Sequence, residues 1–158
     1  MSGPVTALLL LIAAACLLVL WRIRRERRRQ AYYVSRVRSS DMYGHLYPLL
    51  LRCSRRSVES ITIRPESVCI RLYRPAGRTL LYTFDKHGFD PLEPDTLLAL
   101  AQAVAVDLPL LQDRNRYTFR TRTDPGVNGI RVTWYEYMIT TDYKDSMLRP
   151  EYMSKSRV

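Results

Sequence analysis

The chain has 158 residues, a formal charge of +10 and only two histidines, three cysteines and six glycines. That inventory holds no disulfide framework, no CxxC or HExxH metal spacing and no glycine-rich phosphate loop, so nothing in it calls for a cofactor. The charge is unevenly spread: Arg22 to Arg56 carry eleven arginines against Glu26 and Asp41, whereas the 14 basic and 13 acidic residues of Ser57 to Val158 nearly cancel. A nucleic-acid binder carries its basic excess on the folded domain. The charge distribution therefore argues against nucleic acid as a partner.

The first element is an apolar run, Val5–Trp21, followed by Arg22, Arg24, Arg25, Arg27, Arg28 and Arg29. Seventeen helical residues cover about 25 Å, close to the ~30 Å of a hydrocarbon core. Seven leucines, one isoleucine and two valines give at most about −3 to −6 kcal/mol for insertion. Pro4 suits a first helical position, and Trp21 suits headgroup depth. A cleaved signal would need a basic start and a small-residue site beyond the apolar segment. Met1–Pro4 has no charged side chain, and Ala13–Ala15 lie in mid-run. A lipoprotein reading through Cys16 conflicts with the apolar Leu17–Leu20 that follows it. The expectation is a retained transmembrane helix over residues 1–21, then a basic juxtamembrane segment over 22–40. The positive-inside rule places the arginines, and all that follows, in the cytoplasm, with the N-terminus outside. The six arginines are the candidate binding residues for anionic lipid headgroups.

Residues 41–140 read as one cytoplasmic α+β domain. Asp41–Cys53 carries Met42, Leu46, Leu49 and Cys53 at helical spacing, although Gly44 and Pro48 weaken it and a shorter helix from Pro48 to Arg55 competes. Three period-two runs follow, Val58–Arg64, Val68–Arg74 and Arg78–Asp85, separated by turn residues, as in an antiparallel meander. Leu97, Leu100, Ala101, Val104 and Leu108 then fit one face of a helix from Pro94 to about Val106. Two further strands, Arg116–Thr123 and Gly129–Thr140, flank the hairpin loop at Asp124–Gly129. The order βββ-α-ββ predicts a two-layer fold: an antiparallel sheet of about five strands covered on one side by a helix. The remainder, 141–158, reads as a polar and partly disordered tail.

Alternation assigns an outward sheet face of Cys69, Arg71 and Tyr73, of Arg116, Thr118, Arg120 and Arg122, and of Arg131, Thr133, Tyr135 and Tyr137. Arginine forks and tyrosine rings suit a contact surface. Arg120, Arg131, Tyr135 and Tyr137 are thus the candidates for a membrane-localised protein partner. An ordinary solvated sheet face uses the same residue types. Catalysis has little material: the alternative is a membrane-tethered enzyme using Cys69, beside Arg71, or His87 in a strand-end turn. Asp85, Asp90, Glu93 and Asp95 cluster between prolines, which reads as a capped loop rather than a metal site. Tyr47-Pro48-Leu49-Leu50 and Tyr135-Glu136-Tyr137-Met138 match short sorting and docking patterns that chance also produces. The functional expectation is a single-pass membrane protein whose domain acts by binding.

Overall fold

The computed structural model describes residues 3–54, 58–72, 79–84, 94–126 and 129–140. The elements are α1 (Gly3–Arg38), α2 (Asp41–Ser54), β1 (Val58–Ile63), β2 (Ser67–Leu72), β3 (Thr79–Thr83), α3 (Pro94–Asp107), a single 3-10 turn (Pro109–Gln112), β4 (Tyr117–Asp124) and β5 (Val132–Ile139). All five strands pair antiparallel in the order β3-β2-β1-β5-β4. The α+β class, the order of elements and the strand number are those read from the sequence. The join is at β1, where Ile61 faces Tyr137 and Ile63 faces Tyr135.

One sheet face is covered. Val58, Ile61 and Ile63 of β1, and Val68, Ile70 and Leu72 of β2, are buried against Leu97, Leu100, Ala101 and Val104 of α3 and Met42, Leu46 and Leu50 of α2. A bulge between Val58 and Ser60 turns Val58 onto the same side as Ile61 and Ile63. Simple alternation would have set Val58 opposite them, so the extra residue adds one buried valine to the core. On α2 the buried stripe is Met42, Leu46, Leu50 and Cys53. Leu50, not Leu49, completes it.

Pro48 sits inside α2. Its ring removes one amide and crowds the carbonyl of residue 44. Both Gly44 and Pro48 lie on the exposed side of the helix, where water can satisfy that carbonyl. The buried stripe on the opposite side holds the helix together across the proline.

Helix α1 runs unbroken for 36 residues, about 54 Å at the α-helical rise. Its last three turns belong to the domain: Val37 is buried, and Tyr33 and Val34 pack against the core. Ser40 accepts a hydrogen bond from the Tyr43 amide at 3.3 Å, capping α2 immediately after α1 ends.

Candidate functional site

Over the first 19 residues of α1, Gly3 to Trp21, the apolar side chains point outward on every side. The most apolar 18-residue window has a mean hydropathy of 2.6, and none of it is buried. A core helix of this composition would be covered by protein. Among the described residues, one helix is therefore long and apolar enough to cross a membrane.

The arginines that follow form a collar. At 100° per residue, Arg22, Arg24, Arg25, Arg27, Arg28 and Arg29 spread over about 220° of the circumference, the remaining side being held by Ile23, Glu26 and Gln30, and all six are exposed. Arg25 lies over the Trp21 ring at 5.4 Å, one turn back, which ties the tryptophan to the charge. Arg29 differs from the rest. Its Nη2 donates to Asp95 Oδ2 at 2.5 Å, and its guanidinium lies over Tyr33 at 5.9 Å. Asp95 chiefly, and a hydrogen bond with Tyr33, hold the Arg29 charge more firmly than usual. Arg29 is thus both a collar residue and a strut between α1 and α3.

A second strut lies nine residues along. Arg38 Nη2 donates to Asp107 Oδ1 at 2.9 Å, and the Tyr43 hydroxyl donates to Asp107 Oδ2. An acidic residue in the last turn of a helix opposes the helix dipole. Here the carboxylate, largely buried, is compensated by a guanidinium and a phenol. Burial first, then the bond to Asp107, pushes the Tyr43 phenol well above its ordinary range. The pairing of Asp95, expected in a capped loop but placed in the first turn of α3, and the role of Asp107 escaped the sequence reading because their partners are 66 and 69 residues away. Asp95 in the first turn of a predicted helix was the one available hint.

The uncovered face of the sheet has different occupants from those expected. Tyr135 and Tyr137, expected on the partner surface, face the helices instead, with only 8% and 6% of their surface exposed. The Tyr137 hydroxyl donates to the Ala101 carbonyl at 2.9 Å, and burial pushes that phenol up to about 12. Phe119 of β4 stacks on Tyr135 with centroids 5.7 Å apart. The reason is register. Pairing with Ile61 and Ile63 carries the odd-numbered residues of β5 to the core side, so Trp134, Glu136 and Met138 turn outward. Both faces of β5 are apolar enough to be buried, and alternation alone could not choose between them.

On that outward face Arg64 lies over the Trp134 ring at 5.3 Å, and Arg122 Nε pairs with Glu136 at 3.4 Å. Arg120 shares this face, opposite Glu136, and Arg131 stands just before β5. Both are exposed. Cys69 is half-buried on β2, opposite Thr62 and Leu81. His87 and the expected tail, 141–158, lie outside the described residues, as do Tyr73 and Asp85, Asp90 and Glu93 of the acidic cluster. Among the described residues no group of three His, Cys, Asp or Glu side chains could hold a metal ion. No protein family, curated protein or solved structure matches the chain.

Proposed function

We propose that the chain is a single-pass membrane protein whose domain faces the cytoplasm and acts by binding a membrane-localised protein partner. The observation that carries the anchor is the wholly exposed apolar half of α1. In water it would present a large contiguous apolar surface, which soluble monomers avoid. The collar of Arg22, Arg24, Arg25, Arg27 and Arg28 meets anionic headgroups at the cytoplasmic leaflet and opposes translocation. Confinement to two dimensions raises the effective concentration of any partner in the same membrane. The partner surface on this reading is the outward sheet face, with Arg120 and Trp134 in place of Tyr135 and Tyr137.

The test is topological. In intact cells the chain should resist alkaline carbonate extraction, and a reporter fused after Val158 should be active only in the cytoplasm. Release into the soluble fraction, or protease cleavage of the reporter from outside, ends this reading. For the partner surface, a photocrosslinker at Arg120 should give a discrete adduct in native membranes. The same group at Asn115, away from that face, should give none. Equal labelling from both positions removes the assignment of this face.

A further inference from the structure

The two struts fix the direction of the domain against the shaft. Arg29 meets Asp95, and Arg38 meets Asp107. Residue numbers rise together along α1 and α3, so the helices run parallel and the N-terminus of α3 points back toward the apolar half of α1. Strand β5 runs the same way. Tyr137 bonds to Ala101, and the phenol of Tyr135, two residues earlier, is raised by burial first and then by the Asp95 carboxylate near it. The 3-10 turn that follows α3 contacts the start of β4, which pairs with the end of β5 through Tyr117 and Ile139. The far end of β5 therefore lies beside the C-terminus of α3. The β4–β5 turn lies at the opposite end, on the side of the arginine collar.

The axial distances agree. From Arg29 back to Trp21 is eight helical residues, about 12 Å. From Tyr135, near the level of Arg29, back to Val132 is three strand residues, about 10 Å, and Arg131 and Ile130 reach beyond that. With the strand running along α1, Ile130 and Arg131 thus arrive near the level of Trp21. Ile130 is 69% exposed, next to the exposed Arg131, for which no ion pair is found among the described residues. Gly126 and Gly129 are both left-handed, at φ 67° and 74°. A Cβ on Gly126 would stand 1.7 Å from the Ile130 carbonyl oxygen.

We infer that the β4–β5 hairpin tip is a second membrane contact: Ile130 enters the acyl boundary of the leaflet that holds the arginine collar, and Arg131 binds its anionic headgroups. The chemistry is that of interfacial anchors, an apolar side chain below the phosphates and a guanidinium among them. Asp124, exposed at the end of β4, and Glu66, exposed in the β1–β2 turn at the same end of the sheet, work against the contact. This inference rests on α1 spanning the membrane.

The full chain is tested in vesicles of phosphatidylcholine with phosphatidylserine. Three variants each carry one labelled cysteine, with Cys53→Ala and Cys69→Ser throughout: native Cys16, Thr123→Cys at the hairpin end, and Asn115→Cys at the opposite end, the last two with Cys16→Ser. A dye at Cys16 should be quenched by acyl-chain bromolipids. A dye at residue 123 should be quenched by headgroup spin labels at least threefold more than one at residue 115. Adding Ile130→Asp or Arg131→Glu should reduce residue 123 to the level of 115. With Cys16 quenched, equal quenching at 123 and 115, or indifference to both substitutions, overturns the hairpin contact alone. An unquenched Cys16 overturns the span and the hairpin contact together.

Discussion

Arg29 and Asp95 are separated by 66 residues of chain and by 2.5 Å in space. One lies eight residues past the apolar run, and the other opens the helix that covers the sheet. Their contact makes α1 a continuous member from the apolar segment to the domain core, with no linker between.

The pair is exposed on both sides, and such pairs contribute little to stability. Asp95→Asn should leave the melting temperature of the detergent-solubilised chain nearly unchanged. It should broaden the spin-label distance distribution between Arg28→Cys and Gln102→Cys. An unchanged distribution would show that Tyr33, Val34 and Val37 hold the junction without the ion pair.

The Asp107 site behaves differently because its carboxylate is largely buried. Asp107→Ala strands Arg38 and the Tyr43 hydroxyl, and should destabilise the domain by about 2–4 kcal/mol, as expected for a hydrogen-bonded charge removed from a covered site. Tyr43→Phe keeps the ion pair and should cost about 1–2 kcal/mol. Urea denaturation in detergent measures both.

The same tyrosines predict an alkaline limit. Tyr43 and Tyr137 have folded-state values raised above the ordinary phenol value of about 10. The unfolded chain therefore loses these protons first as pH rises. Their contribution is complete below pH ~10 and is lost above it, through about 12 for Tyr137, at up to about 1.4 kcal/mol per pH unit for each group. Stability should be flat near neutrality and fall above pH ~10. Tyr137→Phe should make the fall shallower.

The face assignment of β5 can be read chemically. In the native state, with the other cysteines replaced, Met138→Cys should react with a water-soluble thiol reagent and Ile139→Cys should not. Reversed reactivity would restore the alternation first expected from the sequence.

Gly126→Ala should cost about 1–3 kcal/mol, because a left-handed backbone and an overlap with the Ile130 carbonyl are both imposed on the side chain. Gly44→Ala tests the contrast: that position is helical and has open space around it, so the change should be neutral or slightly stabilising.

The sequence displays most of this fold through periodicity. Leu97, Leu100, Ala101 and Val104 announce α3 by their helical spacing, and Val68, Ile70 and Leu72 announce β2 by alternating with the less apolar Ser67, Cys69 and Arg71. The pattern failed where both faces were apolar. In β5, Trp134 and Met138 compete with Tyr135 and Tyr137, and only the pairing with β1 decides. It failed again at the bulge, where one inserted residue moves Val58 to the other side. The candidate site shows the same division. The arginine collar is a local charge run and is visible in the chain. The Arg29–Asp95 and Arg38–Asp107 contacts are products of tertiary packing and have no local signature.

Helix α1 continues past Trp21 for 17 more residues to Arg38 without a hinge. On the proposed spanning reading, any change of tilt in the apolar part swings the sheet as a rigid paddle. A span longer than the local bilayer thickness tilts, and on that reading its tilt carries the folded part with it. A thinner bilayer leans the rod over, and whether the paddle presses onto the lipid or lifts from it depends on the direction of lean.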